Sequence, residues 1–156
     1  MHSSNSEDWY TPLDLYQKLD QEFHFDIDPC AEKTNRLGCK IFYTAQDDGL
    51  AKIKDWPVGN VFCNLLYGRK GKGPLWVKKC AEHAAYGKGT AVLLIPSRTD
   101  TEWFHNHIWQ KNNVEIRFLK SRLCFENPDH TLTDPAPFPS MVAIFRPPHS
   151  AKTDLI

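Results

Sequence analysis

Apolar positions in this chain fall into short runs separated by polar, Gly- and Pro-containing stretches. After a polar, acidic start at residues 1–8, read as a loosely tethered terminus, Thr11 to Phe23 carries Leu13, Tyr16 and Leu19 at helical spacing. Thr11 is the expected N-cap and Pro12 the first helical residue. Phe25 and Ile27, followed by Asp28-Pro29, predict a short buried strand ending in a loop. Lys40 to Thr44 and Val61 to Asn64 predict two more strands. Leu75 to Ala85 predicts a helix stopped by Gly87 and Gly89. Thr90 to Ile95 is continuously apolar at its centre, as in a parallel strand covered on both faces. Thr101 to Lys111 predicts a third helix, and Val114 to Phe118 and Met141 to Phe145 two last strands. Glu126 to Ser140, rich in Pro and Asp, is expected to be a long loop.

Strands alternating with helices predict an α/β fold, a single domain with a mostly parallel sheet. In such sheets ligands bind beyond the carboxyl ends of the strands. Two polar motifs fall there: Asp28-Pro29-Cys30-Ala31 and Asn64-Leu65-Leu66-Tyr67. A site between neighbouring strand ends is the first expectation about function.

Composition narrows the class. The 156 residues, 41% hydrophobic and 24% charged, suit one globular domain. No apolar run approaches the roughly 18 residues of a membrane span, and the start has no apolar signal core, so a cytosolic protein is expected. The five cysteines are odd in number and show no C-x-x-C spacing, which predicts free thiols rather than a zinc site. His105 and His107 are two apart and face different ways on a helix, so no metal is expected from them either. A net charge of zero counts against a uniformly basic nucleic-acid binder but leaves local basic patches open.

Several segments, taken in order, resemble the phage N6-adenine DNA methyltransferases, a small Dam-type family that uses S-adenosylmethionine. They are Trp9-Tyr10-Thr11-Pro12, Asp26-Ile27-Asp28-Pro29-Cys30-Ala31, Asp48-Gly49-Leu50 with Trp56, and Val61 through Gly68. Leu94 through Thr101 with Trp103-Phe104, Arg117-Phe118-Leu119 with Arg122, and Pro137-Phe138-Pro139-Ser140 complete the set, from about residue 8 to residue 146. The resemblance implies a compact Rossmann-like methyltransferase domain over residues 9–148, with a C-terminal tail at 149–156. It also implies a phage or prophage origin and the cytoplasm of a bacterial host.

The resemblance assigns cofactor binding to Tyr10, Thr11 and Pro12, which close over the methionine end, and to Asp28, Pro29, Asp48 and Asn64. Each has a plainer reading. Thr11-Pro12 can simply cap a helix, and Asp28 and Asp48-Gly49 can simply be turns. The glycine-rich turn that usually accompanies the first cofactor motif is missing.

The family's catalytic tetrapeptide is Asp or Asn, Pro-Pro, then an aromatic; here it is Asn64-Leu65-Leu66-Tyr67. Adenine's exocyclic amine is a poor nucleophile, and its nitrogen becomes tetrahedral and cationic as it attacks a methyl group. Two acceptors aimed at its hydrogens favour that change. The resemblance makes these the Asn64 side-chain oxygen and the Leu65 carbonyl, with Tyr67 stacking on the flipped base. Losing two prolines frees backbone states worth about 1–2 kcal/mol, or about tenfold in rate if all of it falls on the barrier. Without the family, the tetrapeptide reads as a strand end with core leucines.

Arg69, Lys70 and Lys72 form a basic loop after this motif, and Arg98 and Arg122 with Arg117 and Lys120 are expected to extend it into a DNA-binding face. The chain has no room for a separate target-recognition domain, so a relaxed sequence preference read by the Glu126 to Ser140 stretch is expected. Two alternatives stand beside the enzyme reading: an inactive relative that binds cofactor, DNA or a protein partner, and a methyltransferase of RNA or of a protein amide.

Overall fold

The structure, a computed structural model, describes residues 9–51, 55–65 and 72–148. Helix α1 spans Leu13–Phe23, strands β1 and β2 Ile27–Asp28 and Ile41–Phe42, and β3 Val61–Asn64. Helix α2 spans Gly73–Ala85, β4 Ala91–Pro96, α3 Glu102–His107 and β5 Val114–Phe118. Strands β6, β7 and β8 span Cys124–Glu126, Leu132–Pro135 and Ser140–Phe145.

Six strands form one mixed sheet in the order β2-β1-β3-β4-β8-β5. The first four run parallel. Strand β8 is antiparallel to both β4 and β5, so β5 points the same way as the first four. The sheet is therefore mostly parallel with one reversed strand, and residues beyond the carboxyl ends of β1, β3, β4 and β5 share one edge.

The continuous apolar run of β4 has the expected cause. Ala91, Leu93 and Ile95 face one core with Trp76, Val77, Cys80 and Ala84 of α2 and Phe104 of α3. Val92 and Leu94 face the other, with Tyr16, Leu19 and Phe23 of α1. Helices cover both faces, so no polar alternation remains. All five cysteines are free. Among the described residues no helix is long and apolar enough to cross a membrane.

Three local expectations are corrected. Pro12, not Thr11, occupies the N-cap of α1, and no side-chain cap bond forms from it. The Leu13 amide instead donates to Glu126 Oε2 at 2.9 Å, an acceptor from the far end of the chain. Helix α3 is shorter than Thr101 to Lys111: Thr101 caps it through a bond from the Phe104 amide, and Gln110 lies in the left-handed region at φ 60°. The stretch from Glu126 to Ser140 is not all loop, because β6 and β7 pair there as a hairpin with an irregular register between Cys124 and Glu126. Its strands are short and largely polar, and give no apolar period to read.

Gly49 fits where no other residue would. A Cβ on it would lie 2.6 Å from the Pro29 carbonyl oxygen and 3.0 Å from the Trp76 ring. Gly49→Ala is expected to cost about 1–3 kcal/mol through this overlap, read as a lower midpoint in urea unfolding.

Candidate active site

Strands β1 and β3 are neighbours, so Asp28 and Asn64 end side by side at the carboxyl edge. The N-terminal segment crosses above them. Tyr10, Thr11, Asp28 and Asn64, expected from separate stretches of sequence, line one pocket with Cys30, Glu32, Arg36 and Leu37. Thr11, Asp28 and Asn64 are only 4%, 3% and 4% exposed. Buried polar groups at this density need partners, and their partners define the site.

Asn64 Nδ2 donates to the Trp9 carbonyl and to Thr11 Oγ1, both at 2.9 Å. A carbonyl cannot donate, which fixes the orientation of the amide. The nitrogen holds the N-terminal segment and the other arm carries the acceptor Oδ1. Asp28 Oδ1 accepts from the Cys30 amide at 3.1 Å. The turn reading of Asp28 and its pocket position therefore hold together. Pro12 and Pro29 are buried beside these residues. Asp48 is exposed, lies at φ 56°, and accepts from the Leu50 amide at 3.2 Å. It forms a turn and is not part of the pocket lining, although Gly49 beside it packs on Pro29.

The sequence reading missed the polar cluster that locks this arrangement. Arg36 Nη1 donates to the Thr11 carbonyl at 3.0 Å, and Nη2 pairs with Glu126 Oε1. Nη2 also donates to His130 Nδ1 at 3.1 Å, so that nitrogen is the bare one of the ring. The guanidinium sits 5.2 Å from the Tyr10 ring centroid. Glu126 pairs with Tyr10 by backbone bonds in both directions, while its carboxylate serves Arg36 and the first amide of α1. Trp9 packs on Phe125 and Phe138 at 5.1 and 5.4 Å between ring centroids. Glu126 lay within the stretch read as loop and Arg36 between turn-like residues. The two are 90 positions apart, so no local pattern joins them.

Electrostatically the pocket is acidic. Asp28 and Glu32 line it together with Arg36, whose charge Glu126 opposes. The Cys30 and Cys63 sulfurs lie 3.0 Å apart, and burial pushes the Cys63 thiol well above its usual range. That thiol is held protonated and offers no thiolate nucleophile. Among the described residues no group of three or more His, Cys, Asp or Glu could hold a metal ion.

Leu65 is buried in the core shared with Trp76 and Val77, and its amide donates to the Leu94 carbonyl at 3.1 Å. The strand pairing thus continues one residue past Asn64. Proline has no N–H and cannot make this bond. Leu65→Pro is expected to destabilise this chain by about 1–3 kcal/mol, read as a lower thermal midpoint.

Leu66, Tyr67, Arg69 and Lys70 lie outside the described residues, as do 1–8 and 149–156. Lys72, Arg98 and Arg122 are exposed, after β3, β4 and β5 respectively, and so belong to the same edge. Arg117 does not extend this face as a free charge. It binds Glu22 at 2.7 and 2.8 Å and Glu115 at 2.6 Å.

No curated protein and no solved structure matches the chain. One family model does match, over residues 1–155, and its description is DNA N-6-adenine-methyltransferase (Dam). With nearly the whole chain covered, the protein belongs to the Dam family of DNA N-6-adenine-methyltransferases.

Proposed function

We propose that this protein is an S-adenosylmethionine-dependent DNA methyltransferase of Rossmann-like fold that methylates adenine at N6 by direct transfer. The observation that carries this reading is the meeting of Tyr10, Thr11, Asp28 and Asn64 in one buried pocket at the carboxyl edge. The donor set fits the cofactor, whose sulfonium and ammonium suit an acidic lining and whose carboxylate suits the one guanidinium there.

When bound, S-adenosylmethionine supplies a methyl group on a positively charged sulfur, open to direct attack. In this reading Thr11 and Pro12 close over its amino-acid end, Asp28 and Pro29 shape the pocket wall, and Asp48 serves the adenine end. Asn64 Oδ1 accepts from the target amine and stabilises the positive charge that develops on N6. The Leu65 carbonyl is the second acceptor, and Tyr67 stacks on the flipped base. Arg69, Lys70, Lys72, Arg98 and Arg122 contact phosphates around the entry. The catalytic domain covers residues 9–148, needs no metal, and works on double-stranded DNA in the cytoplasm of a bacterial host of phage or prophage.

A second reading is an inactive relative that still binds cofactor or DNA. One observation favours it: the Leu65 amide is tied to Leu94, a backbone state that the family's proline would not share. Transfer of labelled methyl to unmethylated double-stranded DNA, with RNA as competitor, separates these readings. Label on DNA that RNA does not compete away supports the proposal. Cofactor binding without transfer supports the inactive relative, and preferential labelling of RNA replaces the substrate.

A further inference from the structure

Strand β5 ends the sheet on one side, and among the described residues no strand pairs with its outer edge. Strands β4 and β8 are buried at every position, whereas Val114 to Arg117 of β5 are half-buried and Phe118 is 59% exposed. The opposite edge strand, β2, has only two residues. The bonds to β8 show which backbone groups of β5 face outward. The Leu119 amide donates to the Ser140 carbonyl at 3.1 Å, and the Arg146 amide to the Asn113 carbonyl at 2.9 Å. Bonded positions alternate along an antiparallel ladder, so the odd-numbered residues face β8. The amides and carbonyls of Ile116 and Phe118 and the Val114 carbonyl therefore point away from the sheet. The Val114 amide is already bonded to the Lys111 carbonyl. Such an unpaired row is a template for another strand.

We infer that β5 is a dimer interface, pairing antiparallel with the β5 of a second copy about a twofold axis at Ile116. The side-chain pattern selects this occupant. In that register Glu115 stands opposite the partner's Arg117, and Arg117 opposite the partner's Glu115. On the other face Val114 meets the partner's Phe118, and the two Ile116 residues meet at the axis. Twofold symmetry makes each contact twice, so every position of the strand finds a matching one. Each Ile116 amide donates to the partner's Ile116 carbonyl, and each Phe118 amide to the partner's Val114 carbonyl. The charged pairs then fall at the narrow, non-bonded positions, where side chains lie closest. A slip of two residues either way would set Glu115 against Glu115 or Arg117 against Arg117, and like charges directly opposite destabilise a pair. The charges are already held in place. Arg117 binds Glu22 at 2.7 Å and Glu115 at 2.6 Å, and Arg146 binds Glu115 at 2.8 Å. Little side-chain freedom is then lost when the second copy arrives. Strand β5 supplies none of the lining of the carboxyl-edge pocket, so the pairing does not draw on that site.

The test is sedimentation velocity of the full chain over roughly 10–500 µM, a range in which small interfaces associate. The unmodified protein, 18.0 kDa as a monomer, is expected to move toward twice that mass as concentration rises. Glu115→Arg and Arg117→Glu each set like charges opposite one another at both pairs, and each is expected to weaken the dimer roughly tenfold or more. An equimolar mixture of the two variants is expected to dimerise again, because one copy then carries two cations where the other carries two anions. That recovery requires both variants to be folded, and it supports the inference. A mixture that stays monomeric, a single variant that dimerises like the unmodified protein, or an unmodified protein that is monomeric throughout overturns it. Should either variant fail to fold, Ile116→Cys takes their place. At the axis its two Cα atoms would lie about 5.5 Å apart, within reach of a disulfide. A covalent dimer on mild oxidation, in excess of any formed by the unmodified protein with its own free cysteines, supports the inference, and no excess overturns it.

Discussion

Asn64→Ala is expected to lower the single-turnover rate of methyl transfer by about 10²–10³-fold, the usual effect of deleting one group aimed at developing charge. The same change should weaken the N-terminal segment. Asn64 Nδ2 is shared between the Trp9 carbonyl and Thr11 Oγ1. Its loss leaves two acceptors without their donor, at about 1–3 kcal/mol in stability. Asn64→Asp separates the two roles. A carboxylate still accepts from the target amine, but it cannot donate to the Trp9 carbonyl. The expected signature is a rise in KM for the cofactor that exceeds the fall in kcat. Rapid-quench kinetics with varied cofactor check this, and equal rates for Asn64→Ala and the unmodified protein would remove Asn64 from the chemistry.

Glu126→Ala is expected to produce the largest loss of stability among single changes near the pocket. The Arg36 and Glu126 side chains are 8% and 10% exposed, so the alanine would leave a buried guanidinium without its counter-charge. Breaking such a pair from one side costs about 3–5 kcal/mol. In a domain of this size that is a fall in Tm of roughly 6–20 °C. The Leu13 amide at the start of α1 loses its acceptor as well. Glu126→Gln keeps an acceptor oxygen for that amide and should fall less. The Arg36→Met/Glu126→Gln double variant should regain part of the loss, because it leaves neither charge uncompensated. Thermal unfolding followed by circular dichroism checks all three; a Glu126→Ala melt within a degree or two of the unmodified protein would show that the pair contributes nothing.

What could be read from sequence follows from how local each signal is. The β4 run Ala91 to Ile95 and the α1 spacing of Tyr16 and Leu19 are local periodicities, and both appear where they were expected, although Phe23 rather than Leu13 completes the buried face of α1. The reversed strand β8 could not be told from a parallel one, because burial on both faces erases the alternation in either direction. Tyr10, Thr11, Asp28 and Asn64 were legible as candidates because strand ends and a family resemblance mark them. Their meeting in one pocket was not, since it depends on the order β1-β3 and on a segment folded back over both. Thr11 looked like a helix cap because its type and position suit one, yet its hydroxyl faces Asn64. Glu126 does the capping from 113 positions away, a distance at which no sequence pattern speaks. Arg36 was invisible for the same reason. Its chemistry comes from burial beside Glu126 and not from its neighbours in the chain.

The most direct test of the central claim is mass spectrometry of the nucleosides from unmethylated DNA incubated with S-adenosylmethionine and either the unmodified protein or Asn64→Ala. N6-methyladenine is expected with the unmodified protein and little or none with Asn64→Ala. Methylation confined to cytosine, or equal N6-methyladenine from both proteins, would contradict that claim.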